Sequence, residues 1–251
     1  MDVRAKKHLG QHFLRDEDAA LRIVEGIDSL NPEHVIEIGP GDGVLSKYLF
    51  ERYKNLELFD VDVESIQFLK DKYPIHRDKI KLQDFLQSTI DKDCVIIGNF
   101  PYNISSQIVF KILDNKERVE GMVGMFQKEV GERIVSPPGN RDYGILSVFT
   151  QAYYDVEYLF TVDENAFDPP PKVKSGVIRL IRKESLELGC DEKKFRSIVK
   201  RAFNQRRKML RKSLRDLINE SNEASIEKYL TLRPERLSWK DFVILTNCLM
   251  P

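Results

Sequence analysis

Apolar positions recur along this chain with two different periods, and the change from one to the other divides it. Ala19, Ile23 and Ile27, with Ala20 and Val24 beside them, form a helical stripe, and Asp16, Glu17 and Asp18 place acid in its first turn. Beyond it the apolar runs are short, at 35–38, 56–61, 80–82, 94–97 and 121–126, and each is followed by a helical pattern. Strands alternating with helices predict a mostly parallel sheet covered by helices on both faces. Pro137-Pro138-Gly139-Asn140 reads as a loop by its turn chemistry, and 145–154 as helix. Two more strands are expected at 158–162 and 177–181, close enough in sequence to pair as a hairpin at the sheet edge. From about Glu184 the pattern is helical only. Phe195, Ile198, Val199, Ala202 and Phe203 share one helix face, and Leu210, Leu214, Leu217 and Ile218 repeat the spacing. Ser238, with Asp241 three residues on, is placed to cap a last helix bearing Trp239, Phe242 and Val243. The expectation is an α/β domain over 1–183 and a small all-helical domain over 184–251.

Composition adds exclusions. The 251 residues are enough for one large domain and a small appendage. Cys94, Cys190 and Cys248 are odd in number and far apart, which suits neither a disulfide framework nor a paired zinc site. No metal site is expected, and a reducing, cytoplasmic setting follows. The basic start through Lys7 leads into Gly10, Gln11 and His12 instead of an apolar core, so no secretory signal is expected, and no apolar run is long enough for a membrane span. The formal charge is zero, but from Lys193 to Arg215 there are eleven basic residues and no acidic one. Segregation of that kind gives a neutral protein one positive face, most often for nucleic acid.

The chemistry-bearing residues sit where strands end. Gly39-Pro40-Gly41-Asp42-Gly43 follows the strand at 35–38, and glycines there let the backbone approach a ligand closely. The spacing lacks the full dinucleotide fingerprint, which counts against a dehydrogenase. Asp60 closes the second strand, where a carboxylate can accept both ribose hydroxyls of a nucleoside; Asp84, after the third, can accept an adenine amino group. Each alone is more often a turn or cap residue, but together they fall where open α/β sheets bind ligands. Asn99-Phe100-Pro101-Tyr102 ends the next strand. An adenine amine is a poor nucleophile because its lone pair is delocalised into the ring. Accepting its hydrogens on the Asn99 side-chain oxygen and the Phe100 carbonyl would localise that pair and aim it at a methyl sulfonium. Pro101 restricts Phe100 to extended conformations, and Tyr102 offers a face for the base. The same four residues can also be a turn that caps the helix from Ser105.

Taken together, Gly10-Gln11-His12-Phe13-Leu14, Glu37 to Gly41, Asp60 with Asp62, Gln83-Asp84, Asn99 to Ser105, Gln127 to Val130, Phe167 to Val173 and Ala202 to Lys208 closely resemble the ribosomal RNA adenine dimethyltransferases. The closest likeness is to the housekeeping enzymes that dimethylate two adjacent adenines near the 3′ end of small-subunit ribosomal RNA. The resemblance implies a Rossmann-like S-adenosylmethionine-dependent methyltransferase sheet with a C-terminal helical domain. It further implies that S-adenosylmethionine is held by His12, Leu14, Gly39, Gly41, Asp60, Asp84 and Asn99. Three positions depart from the commonest pattern, where His12 is often asparagine, Asp60 glutamate and Phe100 leucine. Phe167, which by itself reads as a core or hairpin-corner aromatic, is implied to be the second face of a sandwich with Tyr102 around a flipped adenine. The catalytic set is therefore expected to be Asn99, Phe100, Pro101, Tyr102 and Phe167.

In the helical domain Arg207, Arg211 and Arg215 lie at i, i+4 and i+8, with Lys208 and Lys212 alongside and Leu210, Leu214 and Leu217 opposite. Like charges so spaced destabilise an isolated helix, so the row points to a compensating polyanion. With Arg201 and Arg206, these residues are expected to contact phosphates of small-subunit ribosomal RNA, within a pre-ribosomal particle. Two alternatives share part of the pattern. A large-subunit ribosomal RNA methyltransferase of the antibiotic-resistance type would share the cofactor loops and Asn99 to Tyr102. A ribosome-assembly factor acting by binding would need only the basic segment.

Overall fold

A computed structural model describes residues 3–250; Met1, Asp2 and Pro251, at the outer ends of the two expected domains, lie outside the described residues. The chain divides into two compact units, one running to Glu132 and resuming over Asp155–Arg182, the other formed by Arg133–Tyr154 with everything from Lys183 on. The second unit thus takes in 133–154, which the sequence reading assigns to the catalytic domain. A continuous sequence boundary near 183 misses this because the chain leaves the first unit after Glu132 and rejoins it at Asp155.

The strands are, in chain order, β1 (Phe13–Leu14), β2 (Val35–Ile38), β3 (Leu56–Asp60), β4 (Ile80–Leu82), β5 (Cys94–Asn99), β6 (Val119–Gln127), β7 (Tyr154–Val162), β8 (Phe167–Asp168) and β9 (Ser175–Arg182). Helices α1 (Glu17–Glu25), α2 (Ser46–Arg52), α3 (Val63–Lys72) and α4 (Ser105–Asp114) belong to the first unit, and α5 (Lys128–Val135) leads out of it. Seven strands form one sheet in the order β4-β3-β2-β5-β6-β9-β7, while β1 and β8 pair antiparallel on their own. The pairs β2/β3, β3/β4, β2/β5 and β5/β6 are parallel and β6/β9 is antiparallel. The two late strands are neighbours, as expected, but β9 lies inside the sheet between β6 and β7.

Burial explains the short apolar runs. All four residues of β2 and the first five of β5 are buried, as strands covered on both faces must be. Ile23, Val24 and Ile27 of the α1 stripe join Val35, Leu58, Val95, Ile97 and Val123 in one core cluster. Burying each such side chain contributes about 1.5–3 kcal/mol, which outweighs any local propensity. Asp16 caps α1 by accepting from the Ala19 N–H at 3.0 Å. The chain runs outward from β2 through β3 to β4, then returns to the other side of β2 as β5. The crevice between β2 and β5 is therefore a topological switch point, where the carboxyl ends of strands meet ligands.

The second unit is helical: α6 (Ile145–Tyr153), α7 (Glu192–Asn204), α8 (Leu210–Ser213), α9 (Glu223–Leu230) and α10 (Trp239–Leu249). Phe195, Ile198, Val199 and Ala202 are buried along α7, with Phe195 against Phe149 and Phe203 against Phe242, both at 5.9 Å between centroids. Ser238 and Asp241 form the expected capping box on α10. The basic segment corrects the sequence reading. Arg207, Arg211 and Arg215 do not share one helix: α7 stops at Asn204, Arg207 lies in the following turn, α8 is a single turn, and Arg215 begins a 3-10 turn. Met209 is extended (φ −66°, ψ 152°), and the Leu210 N–H donates to the Leu232 carbonyl at 2.8 Å, so tertiary bonding breaks the periodicity. Among the described residues no helix is long and apolar enough to cross a membrane, and no group of three or more His, Cys, Asp or Glu is arranged to hold a metal ion.

Candidate active site

The turn after β2 bends tightly enough to need glycine. Gly39 and Gly41 have φ of 66° and 57°, a region that side chains with a Cβ avoid, and a Cβ on Gly41 would come within 2.9 Å of the Phe13 ring. The backbone of this turn forms one wall of a cavity of about 210 Å³. Asp60, 7 % exposed, accepts from the Asp62 N–H at 2.9 Å and the Gly41 N–H at 3.4 Å. Burial pushes its carboxyl above the ordinary value, and the two backbone donors offset part of that rise. Asp84 lines the same cavity, is exposed, and caps the turn at Phe85–Gln87 by accepting from the Leu86 N–H at 2.9 Å. Glu37 on β2 is 1 % exposed and also reaches the cavity.

The arm before α1 covers this space. Leu9 to Leu14 line the cavity, and the Asn99 amide donates to the His12 carbonyl at 2.8 Å. The arm is fastened by Asp62, whose carboxylate accepts from Lys6 Nζ at 2.5 Å and Gln11 Nε2 at 3.2 Å and also caps α3. Burial alone would raise the Asp62 carboxyl, but the bonds from Lys6 and Gln11 bring it below its ordinary value. With its amide donating to His12, the Asn99 side chain has no described hydrogen bond to its oxygen, and the residue lines the cavity. Phe100 is held from behind: its N–H donates to the Met125 carbonyl at 3.2 Å, and its ring, 1 % exposed, meets Phe126 edge-on and lies against Gly98 and Gly124. A Cβ on Gly124 would sit 2.2 Å from that ring. Tyr102 is anchored through its hydroxyl to Ser175 Oγ at 2.5 Å, and burial pushes its phenol up, so it stays neutral.

His12, Leu14, Gly39, Gly41, Asp60, Asp84, Asn99, Phe100, Pro101 and Tyr102 thus all line one cavity. Phe167 does not. It is 4 % exposed, paired with Leu14 across β1 and β8, and packed into the core cluster. The ring that stacks on Tyr102 is His12, at 5.4 Å and 28°. Phe167 is apolar enough to be drawn into the core, whereas the His12 ring has a polar partner, Nδ1 lying 2.8 Å from the Pro169 carbonyl.

The model of the family described as ribosomal RNA adenine dimethylase matches residues 3–237. The chain belongs to this family. It is 51 % identical to ribosomal RNA small subunit methyltransferase A of Flavobacterium johnsoniae over 98 % of this chain and 95 % of that protein. The protein of the same name from Bacteroides thetaiotaomicron is 48 % identical over 98 % and 94 %. A crystal structure of a dimethyladenosine transferase from Plasmodium falciparum has a TM-score of 0.81 at 25 % identity, covering 93 % of this chain and 96 % of that one. The 23S rRNA methyltransferase ErmE has a TM-score of 0.72 at 25 % identity, covering 95 % and 100 %. The mixed seven-stranded sheet with its following helices is the fold of these enzymes.

For an adenine dimethylase the family implies S-adenosylmethionine as methyl donor. The cavity's chemistry fits such a ligand. Glu37, Asp42, Asp60 and Asp84 line it together with no lysine or arginine, a donor set suited to a cation and unsuited to the pyrophosphate of a dinucleotide. Sequence reasoning passed over two parts of the site. One is Glu37, whose signal was an acid inside the otherwise apolar run Val35 to Ile38; the other is the Lys6–Asp62 fastening, for which spacing carries no signal.

Proposed function

We propose that this enzyme transfers methyl groups from S-adenosylmethionine to the exocyclic amine of two adjacent adenosines near the 3′ end of small-subunit ribosomal RNA during ribosome biogenesis in the cytoplasm. The observation that carries the reading is the convergence of the glycine turn, Asp60, Asp84 and the Asn99 to Tyr102 loop on one acidic cavity at the switch point. The donor supplies an electrophilic methyl on a sulfonium; the rest is the work of this chain. Asp60 holds ribose hydroxyls, and Asp84 takes the amino group of the donor's adenine. The Asn99 side-chain oxygen and the Phe100 carbonyl accept the hydrogens of the target amine, localising its lone pair and aiming it in line. Tyr102 supports the base, and stacking of this kind contributes about 1–3 kcal/mol against the cost of extruding it. Orientation and hydrogen bonding, without a covalent intermediate, account for the rate.

Arg201, Arg207, Lys208, Arg211, Lys212 and Arg215 are exposed in the second unit, and of these only Arg215 has a described acidic partner, Asp216. They are suited to RNA phosphates, and Arg206, half-buried and donating to the Arg141 carbonyl, orders the turn that carries them. The names of the relatives at 47–51 % identity favour the small subunit over the large-subunit substrate named for ErmE at 25 %. The test is to incubate the protein with labelled S-adenosylmethionine and methyl-deficient small subunits and to analyse the RNA nucleosides. Dimethyladenosine is expected, and its absence when the subunits are bound would overturn the reading.

A further inference from the structure

Glu37 has no part in the steps above, yet it is the most deeply buried acid facing the cavity, 1 % exposed at the centre of the sheet. Its one described hydrogen bond comes from Ser46 Oγ on α2, at 2.6 Å. No lysine or arginine lines the cavity beside it; the nearest described cations, Arg15 and Lys72, are engaged by Asp42, through its carboxylate and its carbonyl respectively. Asp42 approaches from the glycine turn and Asp60 from β3, and each disfavours ionisation further; the Tyr73 phenol lies beyond the end of α3. Across the sheet its register partners are Leu58 on β3 and Ile97 on β5, both apolar. Burial pushes the carboxyl up to about 8, so near neutrality it holds its proton. An ionised Glu37 would be one more negative charge in a chamber whose walls contain acids and no lysine or arginine.

We propose that Glu37 senses the charge of the ligand: it is a neutral carboxylic acid until a cationic methyl donor enters, then releases its proton to solvent and remains ionised while the sulfonium is present. This rests on the cofactor reading given above. Binding is then coupled to proton release. When the methyl leaves, the sulfonium becomes a neutral thioether, the carboxylate loses one of the charges that stabilised it, and it takes a proton back. Glu37 thus favours the charged reactant over the spent product through a change in its own protonation.

The experiment is calorimetric titration of the protein with S-adenosylmethionine, and separately with S-adenosylhomocysteine, at pH 7 in buffers of different ionisation enthalpy. The ligand's own amino group titrates in this range, so the reading is the difference between wild type and Glu37→Gln. One pH unit below its midpoint a carboxyl is about nine-tenths protonated. Wild type should therefore release close to one proton more than Glu37→Gln on binding the donor, and less on binding the product. The preference of wild type for donor over product should fall by roughly tenfold in Glu37→Gln, the equivalent of one pKa unit. Infrared difference spectra of wild type should show the protonated-carboxyl band lost on donor binding, a readout that does not depend on how the variant folds. Equal proton release by the two proteins, or an unchanged carboxyl band, would overturn the proposal while leaving the cofactor reading intact. Failure of wild type to bind the donor at all would overturn the cofactor reading itself.

Discussion

Gly124→Ala is the sharpest test of how the catalytic loop is held. Gly124 lies on β6, paired with Gly98 on β5, and the Phe100 ring folds back over both. The new methyl would start 2.2 Å from Phe100 Cε2 and 2.9 Å from two further ring atoms, Cδ2 and Cζ. Carbon atoms rest about 3.5–4.0 Å apart, so the ring must retreat by roughly 1.3–1.8 Å. It has little room, because a ring 1 % exposed and set edge-on against Phe126 at 5.2 Å cannot turn into solvent. The strain passes to the Phe100 backbone, which carries the carbonyl assigned to the target amine. Overpacking of this kind costs about 1–3 kcal/mol of stability. A displacement near 1 Å at a reacting group costs about a hundredfold in rate. Initial rates on methyl-deficient small subunits should fall by about that factor, while donor affinity measured by calorimetry changes little because the glycine turn and Asp60 are untouched. Phe100→Leu removes the ring and should restore most of the loss in the double variant. Wild-type rate and melting temperature in Gly124→Ala would show that the ring does not set the loop.

Asn99→Ala removes one of two oriented acceptors and should lower transfer by about 10²–10³ with donor binding still measurable; an unchanged rate would remove Asn99 from the mechanism. Replacing Arg207 and Arg211 together by alanine should flatten the dependence of log affinity on log salt by roughly two, one for each phosphate contact, whereas an equal slope would reassign the basic segment. Glu37 gives a pH signature in stability. Its carboxyl sits at about 8 in the folded chain against an ordinary 4.5, so between these values the unfolded chain loses the proton first and stability falls as pH rises. The loss is about 1.4 kcal/mol per pH unit and ends above about 8. Melting temperatures of wild type relative to Glu37→Gln should decline from pH 5 to 8, and a constant difference would refute the assignment.

Features set by local chemistry were readable before the structure. Val35 to Gly43 announces a buried strand and a turn that only glycine fits, and Asp60, Asp84 and Asn99 fall at strand ends because that is where the hydrophobic runs stop. What required the structure depends on distant partners. The single helix expected through Arg207, Arg211 and Arg215 is locally consistent, but the Leu210 N–H finds the Leu232 carbonyl and the chain opens at Met209. Phe167 carries no mark in sequence that separates a stacking ring from a core ring, and its pairing with Leu14 decides for the core. Glu37 looks like an interruption in a strand until the walls around it are seen to be acidic.

The position of β9 gives the molecule an order of assembly. Strands β2 to β6 and the residues that line the cavity are all made before Val135, but β6 pairs on its outer side only with Ser175–Arg182. Until that segment leaves the ribosome, the seven-residue stretch of β6 that it pairs with, Gly121–Gln127, stands open beside a nearly finished site. An exposed edge of that length invites pairing with other chains. The interval between synthesis of β6 and of β9 is therefore when a nascent chain is most exposed to aggregation. Substitutions that weaken β9, even those far from the cavity, should lower the yield of folded enzyme more than the activity of each molecule that folds.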